Sequence, residues 1–279
     1  MLLSGKEVAD KIKDELKIKV NKMSEGGRTP GLVIVQVGDD AASSVYIRNK
    51  TKSCDYVGIE HSTINFPGDV TQKELIDFID CLNESDVDGI LVQLPLPPHI
   101  DERAVLNRID STKDVDGFHA VNAGHLILGN ECIAPCTPAG IIKILDHYGV
   151  EISGKECVVV GRSNIVGKPM ASMLLQKDGT VTVCHSKTQN LKEVCRRADI
   201  LICAIGKPKF FDREYIKPGA VVIDVGIHRQ EDGTICGDVD FDDAKDIASA
   251  ITPVPGGVGV TTVAMLMENC VRVSEIRGI

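Results

Sequence analysis

The sequence predicts the α/β class, with two domains each built on a parallel sheet. Three observations carry that reading. Apolar β-branched runs alternate with amphipathic helical patterns, the order that builds parallel strands joined by crossover helices. The stretch Cys157-Val158-Val159-Val160-Gly161-Arg162-Ser163-Asn164-Ile165-Val166-Gly167 reads as a buried strand, a glycine turn and a helix start. A length of 279 residues accommodates two ordinary domains.

In the first half, Ser4 to Met23 reads as an amphipathic helix. Ser4 and Glu7 have capping-box spacing, and Val8, Ile12, Leu16 and Val20 recur every four residues. Gly31 to Gly38 is a buried strand, residues 43–57 a helix and His61 to Phe66 a second strand. Thr71 and Glu74 open a third helix with Leu75, Phe78, Ile79 and Leu82 on one face. Asp88 to Leu94 is a third strand, closed by Pro95, Pro97 and Pro98. A polar, turn-rich stretch then runs from Ile100 to Pro138. Thr137 is placed to cap a linking helix, Ala139 to Tyr148, with Pro138 at its first turn.

The second half begins with the glycine turn. Gly161 lets the backbone turn sharply and Gly167 lets the following helix approach the sheet. The spacing departs from G-x-G-x-x-G, because Arg162 and Ser163 fill the middle of the turn. A helix N-terminus here suits a dinucleotide phosphate, so the half reads as a Rossmann-type domain. The next strand, Thr180 to Cys184, ends in His185-Ser186-Lys187-Thr188. A site for NAD would place an acid there for the ribose hydroxyls. Ser186 and Lys187 stand there instead, with Arg162 nearby, and these groups suit a 2′-phosphate. The expected cofactor is therefore NADP. Further strands are Ile200 to Ile205 and Ala220 to Val225. Ile251 to Gly259 is a glycine-rich crossover, and a last helix from about Thr261 carries Val263, Leu266, Met267 and Cys270 on one side.

Composition narrows the function. The formal net charge of -9 supplies no broad basic surface, which argues against a nucleic-acid partner. No run is long and apolar enough to span a membrane, and the N-terminus lacks the cationic start and long apolar core of a signal peptide. Ten cysteines without paired metal-ligand spacing fit free thiols in a reducing cytoplasm, and no metal site is expected.

Four residues stand out for chemistry. Tyr46 and Lys50 share a helix face in a chain with only four Tyr, six Phe and no Trp. Taken alone, that pair also fits a half-buried Tyr beside a solvated Lys. Gln93 sits at the exit of an apolar strand, where parallel sheets hold ligands, or merely satisfies loop backbone. Asp116 lies in an acidic turn, a place where Asp is common for its local bonds.

Six segments occur in order: Tyr46-Ile47-Arg48-Asn49-Lys50, Asp88 to Pro97, Lys113-Asp114-Val115-Asp116-Gly117, Cys136-Thr137-Pro138-Ala139-Gly140, Gly161 to Pro169, and Pro253-Val254-Pro255-Gly256-Gly257-Val258-Gly259. Together, over essentially the whole chain, they resemble the methylenetetrahydrofolate dehydrogenase/methenyltetrahydrofolate cyclohydrolase family. The resemblance implies a folate-binding catalytic domain (residues 1–138, with the helix 261–279 packing back on it) and an NADP domain (139–260). It implies a cleft between them, a homodimer, and two activities in one site. Methylenetetrahydrofolate loses hydride to NADP, and water opens the methenyl product to formyltetrahydrofolate. By motif, Tyr46 would stack on the aminobenzoyl ring, and Lys50 would be the lysine of the hydrolytic step with Gln93 as its partner. Asp116 would bind the pterin's amino-pyrimidine edge, and Ser43 would lie beside Lys50. Pro255, Gly256 and Gly257 would help form the floor of the folate site. Gly161, Arg162, Ser163, Val166, Gly167, Ser186 and Ile227 would contact the cofactor, with Arg162 and Ser186 on its phosphate. The chain departs from the family at Val260 and Thr261, where Pro and Met are common; one of Thr261 and Thr262 is expected to cap the last helix. It also carries His228 where Asn is common. Two rival readings are a shikimate-type dehydrogenase and a non-catalytic folate or nucleotide binder.

Overall fold

The structure, a computed structural model, describes residues 1–277. In chain order it contains α1 (Gly5–Glu25), β1 (Gly31–Val37), α2 (Ala41–Val57), β2 (Glu60–Phe66), α3 (Gln72–Glu84), β3 (Gly89–Val92), α4 (Glu102–Leu106), α5 (Ala120–Leu128) and α6 (Cys136–His147). There follow β4 (Glu156–Val160), α7 (Gly167–Gln176), β5 (Thr180–Cys184), α8 (Leu191–Cys195), β6 (Ile200–Cys203), β7 (Val221–Asp224), β8 (His228–Arg229), β9 (Ile235–Cys236), α9 (Phe241–Ala244), β10 (Ala250–Ile251) and α10 (Val258–Arg277). The last two residues of the helix expected over 261–279, Gly278 and Ile279, lie outside the described residues.

The chain divides into two compact units, Asp10–Ala134 with the residues from Val263 onward, and Met1–Ala9 with Pro135–Thr262. The sequence pattern does not anticipate that the first nine residues group with the second of these. Their backbone explains it: Leu3 N donates to Ile251 O and Ile251 N to Met1 O, at 2.8 and 3.0 Å, on the open edge of β10.

The first unit holds a three-stranded parallel sheet in the order β2-β1-β3. β1 is central, and Val35 and Val37 pack with Leu75 and Ile79 of α3 and with Ile90 and Val92 of β3. α3 begins at a capping box, in which Thr71 Oγ1 accepts from Glu74 N and the Glu74 carboxylate accepts from Thr71 N. α2 starts earlier than expected because Asp40 caps it, accepting from Ser43 N at 2.7 Å. The stretch read as turn-rich contains two short helices, α4 capped by Asp101 and α5 by His119. In α10, Asn269 Nδ2 donates to Val115 O and Ala134 O at 2.8 and 3.0 Å, and Cys54 Sγ meets Met267 Sδ at 3.6 Å.

The second unit holds a five-stranded parallel sheet in the order β10-β7-β6-β4-β5. Val158 and Val160 of β4, Leu201 and Cys203 of β6 and Val222 of β7 pack around Phe211. Two expected caps are replaced. α6 starts at Cys136 without a side-chain cap, so Thr137 lies inside its first turn, 3.1 Å from Thr262 Oγ1. Thr261 and Thr262 lie inside α10, where each hydroxyl donates back to Val258 O. Gly256 has φ +97, and the turn it makes brings the helix start forward to Val258.

Lys113 is the largest side chain among those fully buried, at 1% exposure. Its Nζ donates to Leu82 O, Asn83 O and Ser85 O at 2.9, 2.7 and 2.7 Å, so the cation satisfies carbonyls at the C-terminus of α3. Burial, then Arg277, lowers its pKa. Its own carbonyl accepts from Ile90 N at 2.8 Å, which ties the following acidic turn to the outer edge of β3. Lys113→Met strands three carbonyls and is expected to destabilise the fold by about 2–3 kcal/mol. Urea denaturation checks this, and an unchanged midpoint would refute the anchoring role.

Candidate active site

The first unit brings Lys50 and Gln93 together. α2 places Tyr46 and Lys50 one turn apart, as the spacing requires. Gln93 leaves β3, and its backbone N–H still donates to Val35 O at 2.8 Å, so the residue is fixed at the carboxyl edge of the sheet. Its Nε2 donates to Leu94 O at 2.7 Å. That commits the amide nitrogen and leaves Oε1 to accept from Lys50 Nζ at 3.0 Å. Tyr46 is 38% exposed, with its phenol pushed up by burial, and Ser43 is buried at the start of the same helix.

Asp116 belongs to the same unit. Asp114, buried, shapes its turn: Oδ1 accepts from Gly117 N at 3.1 Å, and Oδ2 from His119 N at 2.7 Å and Asn122 Nδ2 at 3.0 Å. Asn269 holds the carbonyl of Val115 from the other side. Burial pushes the Asp116 carboxyl up to about 6; Lys50 pulls it down and Asp114 pushes it further up. An ammonium, an amide and a half-buried carboxylate therefore share one region, with a ring-bearing side chain on the helix that supplies the ammonium. Such a set can hold a flat, hydrogen-bonding ligand and move a proton beside it.

The second unit carries the remaining expected site residues. Its first strand in sequence, β4, has β5 on one side and β6 on the other. The chain reverses direction across the sheet there, and doubly wound sheets hold ligands at that switch point, beyond the carboxyl ends of the strands. Gly161, at φ +137, turns the chain tightly out of β4, and a Cβ on it would collide with Ala204 O. A Cβ on Gly167 would collide with Gly161 O. The helix start is not an open row of donors: Ser163 Oγ accepts from Val166 N and Gly167 N at 3.1 and 3.3 Å. The helix N-terminus that suits a phosphate in the sequence therefore has two of its N–H groups taken by the serine hydroxyl.

Gly161 N donates to Cys184 O at 2.9 Å, so the loops after β4 and β5 leave neighbouring strands side by side. Arg162, Ser186 and Lys187 are all exposed there, and neither loop contains Asp or Glu over residues 161–166 and 185–190. Two cations and a hydroxyl without a carboxylate fit a phosphorylated ribose. Ile227 follows β7, and a Cβ on Gly259 would meet its Cδ1 at 2.7 Å. The turn with Pro255, Gly256 and Gly257 belongs to this same unit. It packs on the N-terminus, where Lys6 N donates to Gly256 O at 3.0 Å and a Cβ on Gly5 would collide with Gly257 O.

Sequence reasoning missed the residues that hold these groups in place. Lys113, Asp114, Asn122 and Asn269 surround Asp116, and Asp224 and Asp238 organise the far loops of the five-stranded sheet. The available signal was polar residues amid apolar ones, as in Lys113-Asp114-Val115 and Val221-Val222-Ile223-Asp224.

Residues 3–116 match the catalytic domain of the tetrahydrofolate dehydrogenase/cyclohydrolase family, and residues 135–277 match its NAD(P)-binding domain. The bifunctional protein FolD of Lachnoclostridium phytofermentans is 57% identical, over 97% of this chain and 96% of that protein. The crystal structure of the bifunctional enzyme FolD from Campylobacter jejuni superposes with a TM-score of 0.98 at 47% identity, covering 99% of each chain. The Trypanosoma brucei methylenetetrahydrofolate dehydrogenase-cyclohydrolase, solved with NADP cofactor and an inhibitor, has a TM-score of 0.95 at 39% identity, covering 100% of this chain and 98% of that one. The chain belongs to the tetrahydrofolate dehydrogenase/cyclohydrolase family.

Proposed function

We propose that the protein oxidises 5,10-methylenetetrahydrofolate with NADP to 5,10-methenyltetrahydrofolate and hydrolyses that product to 10-formyltetrahydrofolate. The observation that carries the proposal is the Lys50 Nζ to Gln93 Oε1 hydrogen bond of 3.0 Å, with Asp116 in the same unit. Tyr46 offers a ring face to the aminobenzoyl group. Asp116 accepts paired hydrogen bonds from the amino-pyrimidine edge, which are strong because the acceptor is charged. Ser43, at the buried start of α2, completes the wall beside Lys50.

NADP, when bound, would supply the hydride acceptor for the methylene carbon. For that step the chain supplies alignment. Gly161 and Gly167 let the loop lie close to the sheet, Ser163 fixes its shape, and Arg162 and Ser186 hold the 2′-phosphate. Val166 and Ile227 give apolar contact. The hydrolytic step adds water to the cationic methenyl carbon, opens the ring and releases a proton. Lys50 handles that proton. The amine form of Lys50 is the one able to accept a proton from the attacking water. Gln93 holds Nζ in place while this happens.

The protein is proposed to act as a homodimer in the cytoplasm. All ten cysteines stand as thiols outside any disulfide, which supports a reducing compartment. Among the described residues no helix is long and apolar enough to cross a membrane.

Purified protein is expected to form NADPH from methylenetetrahydrofolate and to hydrolyse the methenyl compound. Lys50→Met should abolish hydrolysis and retain some NADP reduction; full hydrolysis in that variant would remove Lys50 from the mechanism. Arg162→Ala should weaken NADP by about 1.5–3 kcal/mol and leave NAD unaffected, the worth of a hydrogen bond to a charged group. Equal losses for both cofactors would show that Arg162 does not read the phosphate. Asp116 is ionised above its value of about 6 and protonated below it. Folate KM should therefore rise as pH falls through about 6, and Asp116→Asn should remove that inflection.

A further inference from the structure

The crevice at the switch point of the five-stranded sheet has two walls. One is the loop Gly161 to Val166 after β4. The other is Ile205-Gly206-Lys207 after β6. Three consecutive N–H groups of that second wall are taken by one carboxylate. Asp238 Oδ2 accepts from Ile205 N and Gly206 N at 2.6 and 3.0 Å, and Oδ1 accepts from Lys207 N at 2.9 Å. The Asp238 side chain has 0% exposure. His228 Nε2 lies 2.8 Å from the same Oδ1, and a carboxylate only accepts, so the imidazole donates. His228 follows Ile227 and opens β8, just after β7. One buried group therefore binds the loops that leave two adjacent strands.

Asp238 is itself fixed. Asp224 Oδ1 accepts from Asp238 N and Gly226 N, both at 2.9 Å, and Oδ2 accepts from Val239 N at 2.9 Å. The glycines beside these acids make the room. A Cβ on Gly226 would collide with Asp238, and one on Gly237 would collide with Asp224. The ribose-phosphate groups, Arg162 and Ser186, stand on the β4–β5 side of the switch point. The other half of a dinucleotide straddling that point would lie on the β6–β7 side, which Asp238 shapes.

We propose that Asp238, together with His228, is a positioning residue for the nicotinamide half of NADP. It acts through the Ile205–Lys207 and Ile227–His228 loops and does not touch the cofactor's reacting atoms. The inference rests on the function proposed above. Because hydrolysis of the methenyl compound consumes no NADP, the two activities separate positioning from folding. In Asp238→Asn, one oxygen becomes an amide nitrogen facing backbone N–H groups while the shape is kept. NADP KM and its dissociation constant from a fluorescence titration are expected to rise about tenfold or more, with methenyl hydrolysis within about twofold of wild type. His228→Ala should move NADP in the same direction by a smaller factor, and it decides the matter where Asp238→Asn does not fold. Unchanged NADP affinity in the folded variants, or dehydrogenase and hydrolase activity falling in the same ratio, would overturn the proposal. A wild-type protein that binds NADP but turns over neither folate would sink the functional reading, and the titration would still judge Asp238.

Discussion

A parallel strand that ends in a buried place leaves backbone N–H groups beyond the ladder with nothing to bind. Burying such groups unpaired is expensive, so something must accept from them. In both units the acceptor is a buried aspartate. Asp88 accepts from Gly31 N at the start of β1, and from Arg28 Nη2. Asp114 gathers the turn that carries Asp116, and Asp224 and Asp238 gather the loops after β6 and β7. Each carboxylate accepts two or more hydrogen bonds, which offsets the desolvation of its charge. The offset is partial: burial pushes Asp224 up to about 6 and raises Asp114, although their backbone bonds pull the other way.

This arrangement supports the chemistry proposed for the site. Catalytic side chains at the carboxyl edge of a sheet sit on loops, and loops move unless their backbone is tied down. Here the ties are specific. Gln93 keeps a ladder bond to Val35, so its amide stays aimed at Lys50. Asp116 is bracketed by Lys113, Asp114 and Asn269. Arg162 and Ser186 hang from neighbouring strands in register. The residues proposed to react number few, and the residues that hold them are buried, polar and more numerous.

Much of this was legible in the residue order. Alternating runs gave the strands and most helices, because a parallel strand covered on both faces must be apolar along its length. The Tyr46–Lys50 face followed from helical spacing alone. The short helices α4 and α5 were not legible, since their caps, Asp101 and His119, read equally well as turn residues. The start of α10 was misplaced because Thr261 and Thr262 look like caps in sequence. In the fold their hydroxyls donate back to Val258 O, and the helix begins at the glycine turn before them.

The sequence alone determined the class of the fold, the order of its strands along the chain, the absence of a carboxylate beside Ser186, and the motifs that mark the family. Those features depend on local propensity, periodicity and residue type, which neighbours in the chain settle. Tertiary structure decided that Lys50 meets Gln93 and that Asp238 reaches the loops after two strands. These contacts join residues up to 43 apart, and they exist only because strands from distant parts of the chain lie side by side. Spacing along a chain carries no record of which buried carboxylate faces which backbone N–H; packing supplies it.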